Sequence, residues 1–169
     1  MARKNLLKNS LKIRKATSHD SEDILNWRND ETTRKHSITT DKIKPSDHEK
    51  WFDNSLKTTN KFLYIGEVGD YREKIGICMF DLNIKLNSCK ISINLNPKMR
   101  GLGLSERLLS SAITAFKIEN DISVNLEAVI KKNNTPSIRC FQKCYFIYIN
   151  EDLDYKYYLL YNSDLNKYY

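Results

Sequence analysis

Ile91-Ser-Ile-Asn-Leu-Asn-Pro-Lys-Met-Arg100-Gly-Leu-Gly-Leu-Ser105 is the stretch on which the reading of this chain turns. Ile91 to Asn96 alternates apolar and polar residues, as a half-buried strand does. Pro97 ends it. Two glycines, Gly101 and Gly103, follow Arg100, and a helical period begins at Leu104. A strand, a glycine turn and a helix start together make an anion site. The first N–H groups of a helix have no internal partner, and the macrodipole favours negative charge there. Glycines let backbone approach a phosphate closely, and Arg100 adds a positive charge. The spacing is neither that of a P-loop nor that of the dinucleotide fingerprint, because Gly-Lys-Ser/Thr and a third glycine are both missing. An ordinary glycine-capped turn accounts equally well for the two glycines taken alone.

The elements on either side set the fold class. Leu11 to Arg14 alternates as a strand. A helix capped by Thr17 or Ser18 runs through Ile24, Leu25 and Trp27. A second starts at Ser46, with Ser46 and Glu49 as a capping box and Trp51, Phe52 and Leu56 on its apolar face. Lys61–Val68, Lys74–Leu82 and Cys89–Asn96 are strands separated by short polar breaks, which predicts an antiparallel meander. Leu104, Leu108, Ala112 and Ala115 mark an amphipathic helix. Ile122–Ile130 is a strand and Asn134–Lys143 a short helix. Tyr145–Ile149 and Tyr155–Tyr161 are strands joined by the acidic turn at 151–154. No repeat, linker or low-complexity tract interrupts the 169 residues. One α/β (α+β) domain spanning 1–169, with a mixed, mostly antiparallel central sheet flanked by helices, is expected.

Composition excludes some classes and leaves others open. Hydrophobic residues are 40% and charged residues 29%, with no apolar run of membrane-spanning length. Residues 1–15 are basic and lack the apolar stretch of a secretory signal, so a cytoplasmic location is expected. The net charge of +7 suits anionic partners. The basic residues are dispersed, which argues against a nucleic-acid binder. Cys78, Cys89, Cys140 and Cys144 read as free, partly buried thiols. The histidines at 19, 36 and 48 lie at no metal spacing from them, and no metal is expected.

Two segments in register resemble the GNAT family of acetyltransferases. Arg100-Gly-Leu-Gly103-Leu-Ser105 is similar to that family's R/Q-x-x-G-x-G/A coenzyme A loop, with Ser in place of the last small residue. Some 30 residues downstream, Asn134-Thr-Pro-Ser137-Ile, then Phe141, Lys143 and Phe146, is similar to its second conserved segment. The resemblance implies a splayed pair of central strands with the pantetheine arm of acetyl-coenzyme A in the gap. Ile93, Asn94 and Leu95 would form one wall and Asn134 would hold the other side. The N–H groups of Met99 or Arg100 through Gly101, Leu102, Gly103, Leu104 and Ser105 would receive the pyrophosphate. A backbone N–H near Leu95 would stabilise the developing oxyanion. The acceptor amine would attack directly, so Cys140 need not be a nucleophile. The family often has a Tyr as general acid where this chain has Phe141. Tyr145, a water, or an unassisted thiolate could take over.

Trp27-Arg28-Asn29-Asp30 with Arg34, and His48-Glu-Lys-Trp51-Phe52, form a second pair. Their plain reading is helix core with solvated charges. Together they also resemble a GNAT subgroup that acetylates 4-amino groups of nucleotide-linked sugars in pseudaminic-type nonulosonic acid pathways. The resemblance implies that Arg28 and Asn29 orient the acceptor or its phosphates, that His48 sits by the amine, and that Asp81 contacts the substrate. His48 is the side-chain type whose pKa lies closest to neutral, with Asp81 and Glu67 as alternative bases. The acceptor would be a UDP-linked amino sugar, with no nucleic acid or membrane partner and a monomer or homodimer as the working unit. Acetylation of protein N-termini and a non-catalytic coenzyme A-binding module stay open as alternatives.

Overall fold

The computed structural model describes residues 11–120 and 123–164. Seven strands form one sheet in the order β1-β2-β3-β4-β5-β7-β6. They are β1 (Leu11–Lys15), β2 (Lys61–Val68), β3 (Glu73–Asn83), β4 (Ser88–Leu95), β5 (Asn125–Lys131), β6 (Ile147–Glu151) and β7 (Tyr155–Leu160). Every pairing is antiparallel except β4 with β5. The short breaks on either side of β3 do close as a meander. The parallel pair needs a crossover, and the helix from Leu104 supplies it.

Five helices accompany the sheet: α1 (Ser21–Asn29), α2 (Glu31–His36), α3 (Pro45–Lys57), α4 (Leu104–Asn120) and α5 (Thr135–Lys143). Alternation along the strands sorts the core into two layers. Leu63, Ile65 and Ile77 face α1 and α3, packing with Ile24, Trp27 and Phe52. Tyr64, Cys78 and Phe80 point the other way, into a layer with Leu108, Leu109, Ala112, Ile113 and Phe116 of α4. Phe80 stacks on Phe116 with centroids 4.3 Å apart. Gly66 and Gly76 are cross-strand partners under this helix. A Cβ on Gly66 would lie 2.5 Å from Leu108 Cδ1, and one on Gly76 2.9 Å from Leu108 Cδ2. Their missing side chains let α4 settle onto the sheet.

Two boundaries and one added helix set the structure apart from the sequence reading. The helix expected from Ser46 starts one residue earlier, with Pro45 in its first turn and Lys44 as N-cap without a side-chain cap bond. Pro is pre-shaped for that position, which makes the Ser46–Glu49 capping box redundant. The strand expected from Tyr145 starts at Ile147, because Tyr145 adopts a left-handed φ of 60° in the turn after α5. Helix α2 carries no apolar period. Asp30 makes it, accepting from the Thr33 N–H at 3.0 Å. Residue 122 of the strand expected over 122–130 lies outside the described residues, as do residues 1–10, 121 and 165–169.

A buried ionic cluster pins β1, α1 and β3 together. Asp20 is fully buried and accepts from both Arg14 terminal nitrogens, at 2.7 and 2.9 Å. Lys74 Nζ lies 2.8 Å away and the Thr17 N–H donates at 2.8 Å. Burial by itself would raise the Asp20 pKa. The bonds from Arg14, Lys74 and Thr17 outweigh it and hold the carboxyl well below the usual carboxylate range. The folded-state pKa is therefore below the unfolded value of about 3.9. The resulting stability is complete above that value and is lost as pH falls towards the folded one. Asp20→Asn should cost about 1.5–3 kcal/mol at pH 7, because it removes the buried charged acceptor, while Arg14 keeps Glu67 and Lys74 keeps Asp23. It should also flatten the decline in stability below about pH 4. Urea unfolding at pH 7 and pH 3 measures both.

Candidate active site at the splayed strands

The sheet opens in its middle. Strand β4 pairs with β5 at three positions only, Ser88↔Asn125, Cys89↔Leu126 and Lys90↔Glu127. Past that point β4 stays with β3 as far as Leu95↔Gly76, and β5 stays with β7 as far as Lys131↔Tyr155. The two strands diverge, and the edges facing each other from 91 and from 128 have no ladder partner. A cavity of about 570 Å³ occupies the gap. Ile91, Ser92, Ile93 and Asn94 form one wall. Val129, Ile130 and, from α5, Asn134, Ser137 and Phe141 form the other. Ser92, Asn94 and Val129 belong to the face of α1 and α3, whereas Ile91, Ile93 and Ile130 belong to the face of α4. The cavity thus runs through the sheet. Its size is that of a small-molecule site.

The glycine loop lies at the open end of the gap. Asn96 accepts from the Lys98 N–H at 3.1 Å and caps a single turn at Pro97–Met99. Gly101 and Gly103 then take left-handed φ values of 74° and 69°, which side chains rarely adopt. Leu104 is buried and Leu102 packs partly against the core, so their side chains anchor the loop from beneath. A Cβ on Gly101 or Gly103 would meet nothing within 4 Å. The loop therefore offers open space above its backbone at the start of α4, which a pyrophosphate fits. Ser105, expected with the same loop, sits beside the Cys140 thiol.

Arg100 is placed differently from the sequence expectation. Its guanidinium lies 2.6 Å from Asp30 Oδ2 and donates to Thr33 Oγ1 at 2.6 Å. Burial would raise the Asp30 pKa, but Arg100 and the Thr33 N–H hold it below the ordinary value. The Thr33 hydroxyl also reaches Asn94 of β4, at 3.3 Å, and Lys131 of β5 donates to the Lys35 carbonyl at 3.1 Å. Helix α2 thus bridges the loop and both diverging strands. Without α2 in view, nothing in the sequence showed a partner for Arg100.

On the acceptor side, the Arg28-Asn29 and Arg34 cluster holds a loop. Asn29 clamps the Ile43 backbone with two bonds of 2.8 Å. Arg28 donates to the Thr39 carbonyl at 2.6 Å and Arg34 to that of Thr40 at 3.0 Å. Segment 37–44 is thereby fixed as a wall of the cavity, with Ile38, Thr39 and Ile43 on its lining. Both polar atoms of Asn29 are taken, and it is absent from the lining. Arg28 does line the cavity, and its Nη1 is buried with no hydrogen-bond partner. Burial, with Arg34 nearby, lowers the Arg28 pKa.

His48 is buried on α3, stacked on Phe52 at 5.6 Å, and lines the cavity. Its Nε2 lies 2.9 Å from the Ser21 carbonyl. In the neutral ring that nitrogen carries the proton, which leaves the lone pair on Nδ1. Burial holds its pKa below the ordinary value, against the Ser21 hydrogen bond that raises it. Asp81 is exposed at the end of β3, 3.3 Å from Lys61, on the wall of a smaller adjoining cavity. Tyr145 is 53% exposed and belongs to neither lining, because its left-handed turn directs it outward. Leu95 also lies outside the lining. Phe141 is buried on the cavity wall and edge-on to Phe146, at 4.9 Å. Sequence reasoning gave no site role to Thr33, His36, Asp47, Ser92 or Ser137, all on the lining. The Asp30-x-x-Thr33 spacing, an Asx cap, was the one signal available for the first two.

The four cysteines are free and buried. Burial pushes Cys89 up to about 12 and Cys78 well above its ordinary value, so neither offers a thiolate nucleophile at neutral pH. Among the described residues, no His, Cys, Asp or Glu cluster could hold a metal, and no helix is long and apolar enough to cross a membrane. The loop clamp generates a direct test. Asn29→Ala removes both bonds to Ile43, so tryptic cleavage after Lys42 should be several-fold faster than in the wild type. Affinity for acetyl-coenzyme A should stay within about twofold, since the glycine loop is untouched.

The fold has known counterparts. In structure the chain is similar to a spermidine N-acetyltransferase from Vibrio cholerae, seen in complex with CoA and spermine. The TM-score is 0.82 at 15% identity, covering 92% of this chain and 98% of that one. It is also similar to an N-acetyltransferase from Staphylococcus aureus Mu50, with TM-score 0.72, 20% identity, and 90% and 99% coverage. A domain from Methanocaldococcus jannaschii matches with TM-score 0.76, 19% identity, and 90% and 98% coverage. At such identities the likeness establishes the fold. No curated protein sequence matches significantly. Residues 10–147 match the acetyltransferase (GNAT) domain family, and with the splayed strands and open glycine loop in place, the chain belongs to that family and is an acetyl-coenzyme A-dependent N-acetyltransferase.

Proposed function

We propose that the acceptor is a small primary amine that also carries an anionic group, and that a nucleotide-linked amino sugar acetylated on its 4-amino group is that acceptor. The observation that carries this is Arg28 Nη1, buried at the cavity and unpartnered. A buried guanidinium nitrogen without a partner is costly, and a phosphate or carboxylate would satisfy it. The rest of the lining agrees. Asp47 is its one carboxylate among the described residues, set against Arg28, His36 and His48. A polyamine would need several carboxylates to receive its ammonium groups, so the spermidine enzyme's acceptor is a poor fit here.

Acetyl-coenzyme A supplies the acetyl group as an activated thioester. The backbone from Arg100 to Ser105 holds its pyrophosphate, with the α4 N-terminus adding positive potential. Ile93, Asn94 and Asn134 line its pantetheine. His48 takes the proton that the amine gives up, through Nδ1. Arg28 orients the acceptor's anionic group. Asn29 holds the 37–44 wall and acts at one remove. Tyr145 has no part in proton delivery to the thiolate. Ser137 lines the cavity beside Phe141, and its hydroxyl is the group we assign to assist there.

Coenzyme A release across a panel of amines tests the reading. Turnover with UDP-4-amino sugars but neither with spermidine nor with peptide N-termini is expected. Turnover of peptides or polyamines alone would replace it. His48→Ala should lower kcat by about 10²- to 10⁴-fold while acetyl-coenzyme A affinity is kept. Because burial depresses the His48 pKa, the acid limb of the kcat profile should lie below about pH 6.5 in the wild type.

A further inference from the structure

We propose that Lys61, Asp81, Lys90 and Glu127 form a second acceptor subsite, built to take a hydroxyl-bearing ring. The inference rests on the amine-acetyltransfer reading and specifies the rest of the acceptor. The register places these residues in one line. Lys61 is opposite Asp81, Asp81 opposite Lys90, and Lys90 opposite Glu127, across β2, β3, β4 and β5. Directly opposed residues share a face, so the four side chains form a row of alternating charge, + − + −. The face is that of Leu63 and Met79, two residues further along the same strands, and so the face of α1 and α3. The row ends at the last β4–β5 pair, where the strands begin to part.

This row floors the smaller cavity, of about 300 Å³. Trp51, Met79, Ser92 and Val129 line both cavities. An acceptor whose amine reaches the gap over Ser92 therefore extends onto the row without crossing a wall. The charges are incompletely spent. Lys61 lies 3.3 Å from Asp81, but Lys90 and Glu127 enter no ion pair among the described residues, although they are cross-strand neighbours.

The chemistry of the row selects a class of ligand. A hydroxyl donates and accepts at once. Neighbouring hydroxyls on a ring can give to a carboxylate and accept from the ammonium next to it. Trp51, 37% exposed on the shared wall, offers an apolar surface to the ring's carbon face. A polyamine could pair with Asp81 and Glu127 but would then lie against Lys61 and Lys90 of like charge, and an apolar amine would desolvate four charges without return. A hydroxylated ring bearing the amine satisfies the row.

The competing account is that the row only ties strands together on a solvated face, where such pairs are worth roughly 0.2–1 kcal/mol each. Steady-state kinetics of Lys90→Met and of Glu127→Gln separate the two, with UDP-4-amino-4,6-dideoxy-N-acetylglucosamine as acceptor. The expected result is a rise in KM of about tenfold or more with kcat within about threefold. That corresponds to about 1.4 kcal/mol of lost acceptor binding. Acetyl-coenzyme A affinity and Tm should stay close to wild type, which separates a binding loss from misfolding. Wild-type KM in both variants would overturn the subsite while leaving the amino-sugar reading intact. Wild-type enzyme that acetylates no hydroxylated amine, whatever the variants do, would overturn both.

Discussion

The parting of β4 from β5 after three residue pairs is the constraint on which the site depends. A parallel pair in the middle of a sheet ordinarily continues its ladder, because unpaired buried N–H and C=O groups are costly. Here each strand is held from its far side instead, β4 by β3 to its last residue and β5 by β7 to its last residue. Phe141 and Ser137 of α5 stand in the opening on the β5 side. The edges facing the gap are left with bonding capacity that a ligand's amide-bearing arm can take up. On the proposed reading, fold and function meet at this point, since the feature that weakens the sheet is the one that receives the donor.

Around the gap, polar side chains divide into those that build walls and those that stay available. Asn29, Arg34 and Arg100 are wall-builders. Their bonds to Ile43, to Thr40 and to Asp30 and Thr33 fix the 37–44 segment and α2 over the diverging strands. Arg28 does both, with one nitrogen on the Thr39 carbonyl and the other unpartnered. His48 is similar in chemistry: one ring nitrogen is tied to Ser21 and the other carries the lone pair. On the proposed reading, the substrate's charge lies at Arg28 and its proton passes to His48.

The sequence made the sheet, the central helix and the glycine loop readable because each depends on local pattern. Alternation marked β2, β3 and β4, and the switch to a helical period at Leu104 marked α4. The left-handed glycines followed from residue type. What escaped was set by contacts distant in sequence. Helix α2 has no apolar face and exists through the Asp30 cap and the bridges to Arg100 and Asn94, some 60 to 70 residues away. Asn29 and Arg100 carried the right chemistry for a ligand, but each found a protein partner that no local pattern announces. Tyr145 was lost to a backbone conformation unusual for its residue type.

Amide hydrogen exchange with and without saturating acetyl-coenzyme A tests the central claim most directly. The gap and loop should gain protection together. Slower exchange at 91–95, 100–105 and 128–131, with β2 unchanged, is the predicted result. Protection elsewhere on the surface, with those three segments unaltered, would contradict the assignment of the splayed strands as the donor site.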